Sequence, residues 1–319
     1  MQQWTAANIP SQRGKLAVVT GANSGLGFCV ALELAKAGAS VILACRDEAK
    51  GTNASARIRA QVRRAHVSLE RLNLAELESV QAFAEKIVRR GKLDLVVNNA
   101  GILALPKRET TADSFEMQFG VNHLGHFALT GWLLPALLQA ESPRVVTVSS
   151  LAHSFGHMDF SDLQAERFYL PWAAYAQSKL ANLLFASELQ ARSDAANSKL
   201  LSVAAHPGLS ATNIVAAGPG MDGPSLQAIF LMVASSMLSQ PAAQGSLPIL
   251  YAATAPAVKR GGFYGPGGIG EFWGYPQPAW LAPQATERKA AMELWQISEQ
   301  LTGVRYSKAL RQSRGGMAR

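Results

Sequence analysis

Tyr175 and Lys179 stand four residues apart in YAQSKLAN, downstream of the paired Ser149 and Ser150 and of a glycine turn, TGANSGLG, at residues 20 to 27. On a helix, four-residue spacing puts two side chains on one face, one turn apart. There an ammonium favours the ionised form of a phenol, whose ordinary pKa near ~10 is too high for acid–base work at neutrality. The glycine turn adds a seat for a cofactor, so the set supplies both halves of a hydride-transfer enzyme. Y-x-x-x-K alone is common, and an ordinary amphipathic helix explains it. The chemical reading rests on agreement with the rest of the chain.

The elements around these residues follow a regular order. KLAVVT (15–20) is an apolar run entering the glycine turn, and GLGFCVALELAKAG (25–38) is a helical pattern leaving it. Further apolar runs are SVILAC (40–45), AHVSLERL (65–72), KLDLVVN (92–98), RVVTVS (144–149) and KLLSVAAH (199–206), with helical stretches such as ELESVQAFAEKIVRR (76–90) between them. This alternation predicts an α/β fold: a single doubly wound, Rossmann-type parallel sheet with helices on both faces. No repeat, low-complexity segment or linker divides the chain. The expected layout is an N-terminal arm (1–12), one domain (13–303) with substrate-side loops at 151–174 and 207–283, and a basic, solvated tail (304–319). A last helix is expected over 285–301.

With 319 residues, 48% of them hydrophobic, the chain can bury a large core. Cys29 and Cys45 lie in apolar runs and read as buried thiols in a reducing, cytoplasmic setting. The opening MQQWTAANIPSQRGK has no apolar h-region. The longest apolar stretch, LQAIFLMVASSML (226–238), falls short of the ~20 residues a bilayer requires and reads as a buried or pocket-lining helix. No transmembrane segment is expected. The net charge of +8 has no aromatic-interleaved basic patch to direct it at nucleic acid, and it suits a phosphate-rich cofactor equally well. His123 and His126 are three apart without an accompanying carboxylate or thiol, so a structural role is expected and no metal site. VTVSSLAH is not a nucleophile elbow, which argues against using Ser150 for hydrolysis.

Gly21, Gly25 and Gly27 let the backbone turn sharply and approach a pyrophosphate, with Asn23, Ser24 and Leu26 completing the seat. The following helix N-terminus offers free N–H groups and partial positive charge. The spacing has one residue more between the first two glycines than the common G-x-G-x-x-G. At the end of the second strand, where an acidic residue would bind the ribose of NAD, the chain has Ala44, Cys45 and Arg46. Arg46 can pair with a 2′-phosphate and stack on adenine, so NADP(H) is expected over NAD(H); a surface charge at a helix start is the other reading.

NNAG (98–101), Asn122 in VNHLGHF, VSS (148–150) and HPGLSAT (206–212) join these motifs in order, and the chain resembles the short-chain dehydrogenase/reductase family over roughly residues 13 to 303. WTAANIPSQRGK, ACR, HLGHF and SKLANLLF are similar to its retinol dehydrogenase and protochlorophyllide reductase branch. The resemblance implies roles residue by residue. Tyr175 is the general acid in carbonyl reduction and the base in alcohol oxidation. Lys179 binds the nicotinamide ribose, Ser150 hydrogen-bonds the substrate oxygen, and Asn122 supports a water-linked proton relay to Lys179. Asn98, Ala100 and Gly101 line the cofactor near its adenine-side ribose, while Pro207, Gly208 and Thr212 pack at the nicotinamide and its phosphate. Asn73, before Leu74, stands where members often carry an Asp against the adenine amino group, and its amide oxygen can still accept that bond. Strand alternation lets only one of Ser149 and Ser150 face the cleft, and the family pattern favours the second.

The stretch 151–174 is like an insert in the retinol dehydrogenase branch. Its Phe155, Met158, Phe160, Phe168 and Trp172 either cover an apolar substrate or pack the loop against the body. The expected activity is hydride transfer between NADP(H) and a carbonyl or alcohol of a small apolar substrate. Reduction of a polarised C=C bond, and NADP(H) binding without turnover, are the alternatives. A monomer and a homodimer both fit the sequence.

Overall fold

The computed structural model of the chain describes residues 3–209, 240–307 and 310. Thr212 and the apolar stretch 226–238 lie outside the described residues. The strands are β1 (Leu16–Thr20), β2 (Ser40–Cys45), β3 (Val67–Arg71), β4 (Leu95–Asn98), β5 (Arg144–Val148), β6 (Leu201–Ala205), β7 (Phe263–Pro266) and β8 (Pro276–Pro278). They form one sheet in the order β3-β2-β1-β4-β5-β6-β7-β8, parallel throughout except for β8 at the edge. The helices are α1 (Gly25–Lys36), α2 (Glu48–Gln61), α3 (Leu77–Val88), α4 (Gly125–Leu137), α5 (Pro171–Ala195), α6 (Leu247–Thr254) and α7 (Arg288–Thr302).

Side chains alternate along a strand, so a sheet covered on both faces needs apolar residues at consecutive positions. In β1, Ala17 and Val19 enter the core on one side and Val18 on the other. Val97 and Val96 of β4, and Val146 and Val145 of β5, divide in the same way. The first core is closed by α1, α2 and α6, the second by α3, α4 and α5. In α3 the buried residues Val80, Phe83, Ala84 and Ile87 follow the spacing of one helical stripe. The order runs outward through β1, β2 and β3, then returns to place β4 beside β1. That reversal opens a crevice at the carboxyl ends of β1 and β4, where the glycine turn and NNAG lie.

Two expectations change. β7 and β8 lie in a Gly- and Pro-rich stretch that reads as loop; β7 is short and β8 is a proline-bounded edge strand, where missing N–H donors are tolerated. The stretch expected to be a solvated tail begins inside the core: Val304, Tyr306 and Leu310 are buried. Tyr306 packs on Trp295 at 4.5 Å and on Phe127 at 4.9 Å between ring centroids, and its hydroxyl donates to Phe127 O at 2.5 Å. At the other end, Trp4 of the N-terminal arm meets Tyr251 edge-on at 5.3 Å. Among the described residues no helix is long and apolar enough to cross a membrane.

A chain ending at Gly303 loses the Tyr306 ring and its hydrogen bond. It is expected to lose about 3–5 kcal/mol of stability in chemical denaturation; an unchanged midpoint would contradict the docking of this segment.

Candidate active site

The site is built on the first half of α5, which starts at Pro171, a residue suited to a first helical turn. Three bonds fasten this helix to the end of β5. Ser149 Oγ donates to Lys179 O at 2.8 Å, Asn182 Nδ2 donates to Val148 O at 3.0 Å, and Lys179 Nζ reaches Val148 O at 3.4 Å. Strand alternation thereby spends Ser149 on the helix and leaves Ser150, half-buried, beside Tyr175. The Lys179 ammonium lies 5.7 Å from the centroid of the Tyr175 ring. Tyr175 packs with Ala152, Ala176 and Leu103.

Both groups are withdrawn from water, and this shifts the pKa of each. Burial pushes the Tyr175 phenol up to about 12, with the Ser150 hydroxyl pulling in the opposite direction. Burial pushes Lys179 down to about 8. The expected lowering of the phenol by the ammonium is therefore not seen in this arrangement, because desolvation dominates at both groups. The result is a phenol that keeps its proton at neutral pH and a lysine that can lose or gain one near it.

Gly101 marks where the walls meet. A Cβ built there would lie 3.2 Å from Asn122 Oδ1 and 3.3 Å from Lys179 Nζ. Asn122 is fully buried in a π-helical segment, Gly120–Leu124, that leads into α4. Such segments often sit at functional sites. Its carboxamide is fully engaged: it accepts from Ile102 N at 2.8 Å and donates to Ile102 O at 3.0 Å and Ser178 Oγ at 2.9 Å. The side chain thus braces the loop after β4 and does not bond Lys179.

Beneath the crevice runs a network that the motifs did not single out. His126 Nδ1 lies 3.0 Å from Asn122 O and its Nε2 lies 2.9 Å from Thr20 Oγ1. A carbonyl accepts only, so Nδ1 carries the proton and Thr20 donates to Nε2. The same hydroxyl accepts from Asn99 N and Ala100 N, each at 2.9 Å, while Asn99 Nδ2 donates to Thr20 O at 2.8 Å. Glycine turn, NNAG loop and π segment are thus one hydrogen-bonded unit. Burial pushes His126 down to about 4, with the Lys179 charge adding to it, so the ring stays neutral. The legible signal was the spacing: His126 follows Asn122 by one helical turn. His123 bonds Ser298 at 2.8 Å and packs on Phe119, away from the crevice.

The turn has the shape of a phosphate seat. Gly21 has φ of +66°, and a Cβ there would lie 3.0 Å from Ala100 Cα. At Gly27 a Cβ would come within 2.5 Å of both Asn99 Nδ2 and Gly21 O. Ser24 is exposed at the α1 N-cap and makes no side-chain cap bond, so the first N–H groups of α1 are not capped by it. Asn23 is half-buried here, and Leu26 is buried beneath. Arg46 is exposed at the end of β2 and makes no hydrogen bond or ion pair among the described residues. Asp47, next to it, is occupied as the α2 N-cap, accepting from Lys50 N at 2.9 Å. A dinucleotide therefore fits on two observations: a cradle that a Cβ would fill, and a buried ammonium whose three donors find only one long hydrogen-bond partner among the described residues.

Other expected residues fall in mixed positions. Asn98 is 1% exposed and its amide donates to Thr130 at 3.0 Å, so its side chain points into the helix layer and not onto the crevice wall. Asn73 is half-buried; its amide oxygen accepts from Ala75 N at 3.2 Å and its nitrogen reaches Glu76 at 3.3 Å. Leu74 beside it is buried. Pro207 and Gly208 lie at the end of β6, half-buried. Thr212 lies outside the described residues. In the insert, Met158 is buried and Phe160 half-buried against the body, whereas Phe155, Phe168 and Trp172 are exposed. Trp172 stands edge-on to Tyr175 with ring centroids 6.1 Å apart.

Comparison with known proteins gives a consistent picture. A family model described as short chain dehydrogenase matches residues 15–219. The chain is 37% identical to mouse (Mus musculus) retinol dehydrogenase 12 over 303 residues, covering 95% of this chain and 90% of that one. It is 40% identical to human (Homo sapiens) retinol dehydrogenase 13 over 301 residues, covering 93% and 86%. The crystal structure of an uncharacterised Mycobacterium paratuberculosis protein is similar with a TM-score of 0.80 at 42% identity, covering 96% and 99%. A Shigella flexneri short chain dehydrogenase complexed with NADP is similar with a TM-score of 0.60 at 25% identity, covering 80% and 98%.

The buried ammonium predicts a stability effect with a definite sign. Below pH 8 the folded chain bears the full cost of the charge, and above 10.5, the ordinary lysine value, neither state carries it. Between those limits the unfolded chain binds more protons, so this contribution to wild-type stability rises with pH. Lys179→Met is expected to be about 1–3 kcal/mol more stable than wild type at neutral pH, with the gap closing as pH rises through that window. A less stable variant at neutral pH, or a pH-independent gap in urea unfolding, would contradict the burial of the charge.

Proposed function

The chain belongs to the short-chain dehydrogenase family, in its retinol dehydrogenase-like branch, and on that premise we propose an NADP(H)-dependent oxidoreductase acting on a carbonyl or alcohol of an apolar substrate. The observation that carries this reading is the meeting of the Ser150 hydroxyl, the Tyr175 phenol and the Lys179 ammonium at one buried crevice wall, next to a glycine turn shaped for a pyrophosphate.

The bound dinucleotide supplies the hydride donor or acceptor. Everything else falls to the chain. Ser150 orients the substrate oxygen by a hydrogen bond. Tyr175, which keeps its proton at neutral pH, delivers it to that oxygen in reduction and takes it back in oxidation. Lys179, one helical turn from Tyr175 with its ammonium 5.7 Å from that ring, would hold the nicotinamide ribose. Asn122 keeps the loop after β4 in place so that Gly101 lies against the Lys179 ammonium.

Arg46 supports the preference for NADP(H). It is exposed and without a partner among the described residues, and the acidic residue next to it is engaged in capping α2. The apolar substrate class is supported by Leu103, Ala152 and Ala176 around Tyr175 and by the exposed Trp172 ring beside it.

Two measurements test the reading. Tyr175→Phe is expected to lower kcat at least about a hundredfold in a carbonyl-substrate screen while NADPH affinity stays within about twofold; retained turnover would remove Tyr175 as the proton donor. Arg46→Asp is expected to lower the NADPH-to-NADH ratio of kcat/KM at least about tenfold. An unchanged ratio would mean that the 2′-phosphate is not read there.

A further inference from the structure

The C-terminal loop returns to the crevice through one carboxylate. Glu271, in the turn between β7 and β8, places Oε2 2.9 Å from His206 Nε2, and its Oε1 accepts from Trp280 N at 2.7 Å. The other ring nitrogen of His206, Nδ1, accepts the N–H of Gly208 at 3.2 Å. A nitrogen that accepts an N–H bears no proton, so the ring carries its proton on Nε2 and donates it to Glu271. The carboxylate therefore selects the one ring form able to hold Gly208. Burial opposes the charge on Glu271, but the bonds from His206 and from Trp280 N outweigh it and hold the carboxyl below its ordinary range.

The surrounding backbone is cut to this pair. His206 is fully buried, and a Cβ on Gly265 of β7 would collide with its Nε2. Gly208 has φ of +67°, and a Cβ there would strike Phe272 O. Leu209 N donates to that same carbonyl at 2.8 Å, and Gln240 Nε2 donates to Pro207 O at 2.7 Å. On the neighbouring strand end, His153 lies 2.7 Å from Ser150 O through Nδ1, while its Nε2 accepts from Ala282 N at 3.4 Å. The loop thus reaches the ends of β5 and β6, neighbours in the sheet.

We propose that Glu271 and His206 are a positioning pair that fixes the Pro207–Gly208 turn for the nicotinamide end of the cofactor. This rests on the reading of the crevice as a dinucleotide site. The pair touches no reacting atom; it sets the tautomer, the tautomer holds the Gly208 N–H, and the turn then presents a fixed edge to the reactive ring.

The test compares NADPH with adenosine 2′,5′-bisphosphate, which lacks the nicotinamide half, by calorimetric titration, with NADH and ADP-ribose run alongside. Glu271→Ala is expected to weaken NADPH at least about tenfold and to leave the fragment within about twofold. Glu271→Gln keeps an oxygen that accepts from Nε2 and is expected to stay within about threefold of wild type for both. His206→Gln keeps a partner for Glu271 but removes the acceptor for Gly208 N–H, so it should repeat the NADPH-selective loss even where Glu271→Ala does not fold. Equal weakening of NADPH and fragment, or no weakening of either, would overturn the proposal. Wild-type protein that binds neither dinucleotide would instead overturn the cofactor reading, and the proposal with it.

Discussion

A positive charge held out of water is the constraint on which the rest of this molecule depends. Lys179 carries an ammonium into a site where burial lowers its pKa to about 8, with a single long hydrogen bond among the described residues, to Val148 O. The Tyr175 ring, 5.7 Å from the ammonium, adds a weak attraction and no further hydrogen bond. What keeps it in place is the helix it rides on: Leu180, Leu183, Leu184, Phe185 and Leu189 of α5 are buried on the sheet, and Ser149 and Asn182 tie the helix to the end of β5. Hydrophobic burial over the length of α5 offsets a cost concentrated at one residue.

The same trade explains the polar architecture beneath the crevice. A site that keeps an ammonium desolvated cannot let water in from below. The described structure fills that space with neutral, fully engaged groups: His126, Thr20, Asn122 and Ser178 satisfy one another and the loops above them. Such a network holds its members in place because their hydrogen bonds link three separate segments of chain. It makes the glycine turn and the loop after β4 a single unit, which holds Gly101 against Asn122 and Lys179.

Much of this was legible in the sequence, and the boundary of what was not has physical causes. Consecutive apolar residues such as Val18 and Val19 announce a sheet covered on both faces, and TGANSGLG after the first of them announces the crevice. The Tyr175–Lys179 spacing survives folding because a helix preserves it. Alternation along β5 separates the roles of Ser149 and Ser150. What could not be read is whatever depends on distant pairing. Nothing in NNAG says that Asn98 turns inward to Thr130, and nothing near Asn122 says that its carboxamide is taken up by Ile102 and Ser178. β7 lacks a strand pattern because its glycine makes room for His206. The charge on Lys179 was legible as chemistry, whereas its direction of influence was not, because desolvation depends on depth and depth is a property of the whole fold. The stretch from residue 304 reads as a basic tail because its charges are plain in the sequence, while the pocket that takes Tyr306 is made by Phe127 and Trp295 from elsewhere in the chain.

The central claim is that this ammonium is truly desolvated in the folded protein. Nitrogen-detected NMR on lysine-labelled protein, with the Lys179 resonance assigned by its loss in a variant, measures its titration directly. The account predicts a midpoint near 8, clearly separated from the exposed lysines; a midpoint at the ordinary lysine value of 10.5 would contradict it.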